Sequence, residues 1–358
     1  MAAPGSSTTS ALRVARPTLS VDGQSRHTLG EGLLGLEIVE DTLGLYRCEA
    51  TFGNWGPKDN RIGFLYFDRG LLEFGKSFGV KLGADAIFDG RITALEARFP
   101  EGRPPEMTVL AEDRFQDLRM ARRTRTFADV NDADVMRQIA GEHGLETSVD
   151  VHGPTYEVLA QVNQSDLAFL RDRARTVNAE LWLDGRTLNV KTRGSRAGAT
   201  LEMTLGRDLR EFVVLADLAN QRTSVTVSGW DVGAKQAISF EASESSVQGE
   251  LNGHTGGASV LSQVLGARKE SIAHTVPLNS QEAQSEAEGL FRAIARRFLV
   301  CRGTAEASPG LRVGALVDLR GLGPLFSGKY YVSETRTVFD SAGLRMEFVG
   351  ERPGLGRV

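Results

Sequence analysis

Cysteine is nearly absent: Cys48 and Cys301 are the only two in 358 residues, and they stand far apart. Two thiols cannot build a disulfide framework or a cysteine-rich zinc site, and their scarcity fits a reducing compartment. Each lies in an apolar, strand-like run, where a buried and inert thiol is expected. Long hydrophobic runs are missing too, so no segment is suited to span a bilayer as a helix. The N-terminus, MAAPGSSTTSALRVARP, has neither a basic start nor the continuous apolar core of a secretory signal. The sequence therefore predicts a chain that is soluble and cytoplasmic when made, with no membrane insertion of its own. Nor is there an excess of positive charge, with 42 Lys and Arg against 46 Asp and Glu and a net charge of −4. That balance argues against specific nucleic-acid binding, which rests on phosphate neutralisation. The one basic cluster, Arg122, Arg123 and Arg125, is short and reads as a solvated helix end or loop.

Patterns that carry chemistry are also lacking. The histidines His27, His143, His152, His254 and His274 are scattered singly through turns and polar stretches. No His-x-x-x-His, His-Glu-x-x-His or Cys-x-x-Cys spacing occurs, so no dedicated metal site is expected. His143, just before Gly144, reads as a cation at a helix C-terminus. A Gly-x-Ser-x-Gly elbow and a Walker loop are both missing. Gly321 and Gly323 follow a strand but no helix is expected after them, which leaves a dinucleotide site unsupported. Glycan hydrolysis needs only two carboxylates, yet among 46 acidic residues some pair always falls close together on a sheet. Nothing in the pattern sets such a pair in a cleft. Trp55, Trp182 and Trp230 could line a sugar groove, but alternating strands around them point to core or interface packing. No catalytic, cofactor-binding or metal-binding residue is expected, no cofactor, and no enzyme activity.

At 358 residues, 41% apolar and 25% charged, the chain should fold into two or three ordinary globular domains. A Ser/Thr-rich leader or arm occupies residues 1–16. Residues 17–118 alternate with a period of two, with strands expected at 33–39, 46–52, 62–67, 79–82, 86–96 and 106–111 between Gly, Pro, Asn and Asp turns. Such spacing suggests an antiparallel barrel or sandwich. Over 119–200 the period changes. Asp132 is placed to cap a helix bearing Val135, Met136 and Ile139 and stopped by Gly144. Ser165 is placed to cap a second helix, with Leu167, Phe169, Leu170, Ala174 and Val177 on one face and Arg171, Asp172, Arg173 and Arg175 on the other. Asp184-Gly185 between two apolar runs signals a type I′ hairpin. This segment reads as a small α/β domain. Strands return over 201–358, interrupted by a polar insertion at about 241–278 that is either a flexible loop or an arm docking on a partner. A helix at 280–297 follows, capped by Asn279 with Glu282 at the capping-box position and bearing Leu290, Phe291, Ile294 and Phe298.

An internal repeat links the first and last of these segments. Residues 88–98 align with 326–336, pairing Phe88 with Phe326, Gly90 with Gly328, Glu96 with Glu334 and Arg98 with Arg336. Flanking runs, 78–82 with 313–317 and 106–110 with 344–348, follow the same strand–turn–strand pattern. A duplication of this kind predicts a mainly β protein with α+β character: two similar antiparallel β-domains on either side of the small α/β domain. Three copies would then present six similar units about an axis, letting a trimer mate with a hexameric ring.

The most specific segment is Val162-Asn163-Gln164-Ser165-Asp166-Leu167-Ala168-Phe169-Leu170-Arg171-Asp172-Arg173-Ala174, followed by Leu181-Trp182-Leu183-Asp184-Gly185. It resembles the phage late control protein D family and the hub portion of VgrG spike proteins, through Asn163, Gln164, Ser165, Asp166, Phe169, Leu170, Trp182 and Gly185. The segment around Tyr330 and Val332 resembles the same family, with Arg336 where a histidine is usual. The resemblance, over about 17–352, implies a structural baseplate hub with two similar antiparallel β-barrel (tube-like) domains flanking the small α/β domain: a homotrimer adapting a threefold spike to a sixfold inner tube. Its implied partners are further copies of itself, an Hcp-like inner tube protein, a separate spike protein and other baseplate components. Its implied location is the baseplate of a phage tail or tail-like particle. Ending at Val358, the chain is expected to carry neither the needle nor a lysozyme domain. The alternatives are a tail-associated peptidoglycan hydrolase and a secreted VgrG-type spike.

Overall fold

The computed structural model describes residues 16–196, 198–231, 233–272, 277 and 279–356. The leader up to residue 15 and His274 lie outside the described residues.

Alternation of apolar and polar residues sets the strands of the first β half, because successive side chains on a strand face opposite ways. These are β1 (Thr18–Val21), β2 (Leu33–Asp41), β3 (Arg47–Gly53), β4 (Ser77–Leu82), β5 (Asp85–Arg98) and β6 (Glu106–Glu112). In β3, for example, Cys48, Ala50 and Phe52 point inward and are buried. Hydrogen bonding orders the strands β1-β4-β5-β6-β3-β2. The run expected as a strand at 62–67 is paired only at Arg61–Gly63, in a small hairpin with Gly56–Lys58.

The middle segment comprises β7 (Arg122–Val130), α1 (Asp132–Glu142), β8 (Glu146–Asp150), β9 (Tyr156–Ser165), α2 (Asp166–Thr176), β10 (Ala179–Asp184) and β11 (Thr187–Thr192). It forms two small sheets, β7-β9 and β8-β11-β10. Its own apolar cluster centres on Val135, Met136, Ile139, Leu167, Phe169 and Leu188. The cap of α1 is Asn131, not Asp132. Asn131 and Asp134 form a reciprocal capping box, and this frees Asp132 to sit fully buried against Arg173 and Tyr156. The hairpin at Gly185 has a two-residue loop in which Gly185 alone takes positive φ, +56°. A type I′ turn needs positive φ at both loop positions, so this is the type II′ pattern.

The last segment returns to the large sheet with β12 (Thr200–Thr204) and β13 (Leu209–Ala216). It then leaves to build a third unit from β14 (Ser224–Asp231), β15 (Gln236–Ser243), α3 (Gly257–Leu265), β16 (Lys269–Ile272) and α4 (Ser280–Arg296). The stretch expected as a polar insertion is thus partly regular structure. A compact cluster that includes Val225, Val227, Ile238, Ala242, Ala283, Ala287 and Phe291 holds this unit together. Asn279 caps α4 by accepting from the Glu282 amide. The chain re-enters the sheet through β17 (Leu299–Ala305), β18 (Leu316–Arg320), β19 (Gly328–Asp340) and β20 (Gly343–Arg352). A single helical turn, Gly323–Phe326, does follow Gly321-Leu322-Gly323.

Strand order in the second β half is β12-β18-β19-β20-β17-β13, matching the first half position for position. One difference is the outer pairing, antiparallel for β1 with β4 and parallel for β12 with β18. Of the expected pair of β-barrel domains, no closed barrel is found among the described residues. Instead β19 also pairs with β2, which fuses the halves into one open 13-stranded sheet over a common core from Leu19 to Phe348. A strand shared across the boundary satisfies both halves at once, so neither closes on itself.

Candidate functional site: the seam and two unpaired edges

The seam between the halves is six residue pairs long, from Glu334 opposite Asp41 to Phe339 opposite Leu36. Buried Thr335 and Thr337 face the core there. Arg336 lies on the other face, donating to Glu37 at 2.5 Å on the neighbouring strand and to Glu347 at 3.1 Å on β20. These two carboxylates hold the guanidinium pKa above its ordinary value even against some burial. The arginine that replaces the histidine usual in the resembling family thus ties three strands across the seam.

Ladder register shifts define how the halves correspond. One bulge lies between Ile92 and Ala94 and another between Val332 and Glu334. A second pair lies between Leu33 and Gly35 and between Leu209 and Glu211. Bulges are retained features rather than defects, and here they fall at matching places. Traced through successive ladders, Ile92 corresponds to Val332, Ala111 to Gly350, Cys48 to Cys301 and Ile38 to Val214. Both cysteines are buried, and burial raises the Cys301 thiol to about 12. The alignment of Phe88 with Phe326, Gly90 with Gly328, Glu96 with Glu334 and Arg98 with Arg336 is therefore two residues out. By register Gly90 corresponds to buried Tyr330, and Glu96 to Arg336. Phe88 is a buried strand residue, whereas Phe326 lies in the helical turn before β19. A slip of two keeps every side chain on its own face, so the alternation alone does not resolve it.

Each half also has an edge that is unpaired among the described residues. Strand β13 beyond Leu209 pairs only with β17, and β5 beyond Ile92 pairs only with β6. Val213 and Leu215 are 70% and 63% exposed on β13. Beside the end of β5, Phe99 meets Phe64 and Phe67, and Phe64 meets Trp55, in a partly exposed aromatic patch.

The residues of the middle motif do a different job. Asn163 takes positive φ, +47°, within a bulge of β9 that sets Val162 and Asn163 opposite Thr124 alone, and its carbonyl accepts from Arg122. Gln164 donates to Asp172. Ser165 caps α2 by accepting from the Ala168 amide at 3.2 Å. Asp166 is buried, and burial alone would raise its pKa. His143 at 2.8 Å, Gln161 at 2.9 Å, and Arg125 and Arg123 outweigh that and lower it. Arg123 and Arg125 of the basic cluster are thereby spent on an internal carboxylate, and His143 caps α1 while bonding to Asp166. Phe169 stacks on Phe127 at 5.9 Å, and Leu170 is buried beside it in the same cluster.

Trp182 and Gly185 lie apart from that group, on the β10–β11 hairpin. Trp182 carries the Arg196 guanidinium at 4.1 Å over its ring. Arg196 in turn reaches Glu180, the Val313 carbonyl and Tyr46, while Arg193 bridges Glu180 and Glu351. This buried network, which residue spacing alone does not reveal, joins the middle unit to both β halves. Gly44 completes the contact: a Cβ there would lie 2.2 Å from the Leu181 carbonyl.

A cleft of about 900 Å³ separates α2 and β10 from α4. Two of its cations are committed internally, Arg193 as above and Arg296 to Glu250 and Asn178. Among the described residues, no cluster of His, Cys, Asp or Glu is arranged to hold a metal, and no helix is long and apolar enough to cross a membrane.

Residues 72–339 match the family of the Alg8 N-terminal domain. The chain belongs to that family. No curated protein sequence matches it. Solved structures share the fold of this Alg8-family chain at low identity. The 43 kDa tail protein of prophage MuSo2 from Shewanella oneidensis aligns at TM-score 0.70 and 13% identity, over 94% of this chain and 98% of that one. The tail protein from Neisseria meningitidis aligns at 0.68 and 14%, over 95% and 97%. An Escherichia coli component of the type VI secretion system, described as structurally similar to bacteriophage tail proteins, aligns at 0.57 and 12%, over 95% and 79%. The mainly β architecture of the Alg8-family chain is thus that of phage tail and type VI secretion proteins.

Proposed function

We propose that the chain is a structural baseplate hub of a contractile tail-like injection system. In this reading it is a homotrimer whose six β halves form a ring beneath an Hcp-like inner tube. A threefold spike sits on its other side, and further baseplate components surround it. Its work is mechanical, transmitting thrust from tube to spike, and involves no reaction and no cofactor. The chain would be made in the cytoplasm and end in the baseplate of the particle.

The observation that carries this reading is the duplicated strand order with bulges at matching places. Two equivalent units per chain are what a threefold assembly needs to present six similar surfaces to a hexameric ring. The fold likeness to prophage tail proteins and to a type VI secretion component supports the same role. Sedimentation of the purified chain with the tube and spike proteins of its own particle tests it. The expected result is a trimer that travels with both, and a monomer that binds neither overturns the reading. Peptidoglycan clearing in a zymogram, abolished by one carboxylate substitution, would replace it with the hydrolase.

A further inference from the structure

We infer that copies of this chain join edge to edge, the unpaired side of β13 in one copy hydrogen-bonding to the unpaired side of β5 in the next. This inference rests on the hub reading and assigns the surface through which its ring would close.

The template lies within the chain. Register makes β13 the counterpart of β2, and β5 the counterpart of β19. Strands β2 and β19 are paired with each other, forming the seam. Their counterparts β13 and β5 belong to the same two kinds of edge, yet each lacks a partner on the corresponding side. Within one chain the first half offers its β2 edge to the second half. The second half's own β2-like edge, β13, is left over, and so is the first half's β19-like edge. A neighbouring copy supplies both missing partners in the orientation already used once.

The side chains agree with this assignment. Exposed edge strands in soluble proteins are ordinarily guarded by charge, proline or short length. Here β13 is eight residues long and holds Phe212-Val213-Val214-Leu215-Ala216 without a charge. At the other edge, Phe99 corresponds by register to Phe339. Phe339 is 8% exposed at the end of the seam, and Phe99 is 65% exposed. The same aromatic thus occurs in both halves at one position, covered where the joint is formed and bare where it is not. Trp55 and Phe64 extend the bare surface next to Phe99.

Transferring the seam register gives the intermolecular one. Ala94 should lie opposite Asp217, Glu96 opposite Leu215, Arg98 opposite Val213, and Phe99 opposite Phe212. A second copy is the occupant that fits, because only another such chain offers the complementary edge in that register.

Two measurements test this. The paired substitutions Glu96→Cys and Leu215→Cys, oxidised in the assembled protein, should give intermolecular disulfides up to a covalent trimer. A control pairing Glu96→Cys with Val264→Cys, an exposed position on α3, should not. Separately, Val213→Asp with Leu215→Asp should shift the solution mass from trimer to monomer while circular dichroism stays unchanged. A trimer that neither cross-links at the first pair nor dissociates with the second overturns this joint and leaves the hub reading standing. A wild-type chain that is monomeric even with its tube and spike proteins overturns both.

Discussion

Asp113 is buried where its oxygens accept the amides of Tyr46 and Phe115, each at 3.0 Å. Burial is the largest influence on it and raises its pKa to about 7, although both amides pull the other way. Since the folded value lies above that of an unfolded aspartate, the neutral form is favoured by folding. Its contribution to stability is fully present below about pH 4 and is lost as pH rises through about 7. Urea unfolding across that range should show stability falling by a few kcal/mol, on the order expected for such a shift. Asp113→Asn should remove most of this slope, and an unchanged slope would show that another group causes it. A perturbed carboxylate often marks an active site, but Asp113 does not line the cleft between α2, β10 and α4. It holds the chain between β3 and the turn after β6. Residue-level reading of the sequence placed Ser165 and Asn279 correctly as caps. It missed Asn131, because Asn131 and Asp132 are adjacent and equally able to cap; only the burial of Asp132 against Arg173 decides between them.

Helix α4 shows what an element contributes beyond its own length. Ala283, Ala287, Phe291 and Ala295 recur every fourth residue and form the buried stripe, a spacing that keeps them on one helix face. Phe291 is the large member, fully buried against a sheet that includes Val225 and Val227. Phe291→Ala should cost about 3–5 kcal/mol through lost burial and the cavity left behind. Because this unit has its own apolar cluster, hydrogen exchange should accelerate mainly within 224–296 and stay slow in the large sheet. Uniform acceleration across the chain would contradict a separately packed unit. The alanines explain why the stripe was only partly legible: small residues carry little hydrophobic signal, so Leu290, Phe291 and Ile294 stood out instead. Strands were easier, because alternation marks them directly, as in β3 and β6. The seam was not legible at all, since pairing β2 with β19 joins residues some 300 positions apart and leaves no local trace.

At the scale of the whole molecule, the chain holds one fold motif twice and spends half of its pairing capacity internally. Its core runs unbroken through both β halves, and in the proposed assembly the seam is the template for the joint between subunits. The middle unit is fastened to both halves through Glu180, Arg193 and Arg196, which reach Tyr46 in the first half and Tyr331 and Glu351 in the second. Repetition was visible in the sequence, but the ladders assign it a register two residues away from the one the residues suggested. The duplication matters for function only if copies assemble so that all six halves become equivalent. Rotational analysis of end-on electron-microscope images of the purified assembly measures this directly. A closed threefold ring with six similar lobes is the predicted result. A monomer, a dimer or an open chain of subunits, persisting when tube and spike proteins are present, would contradict it.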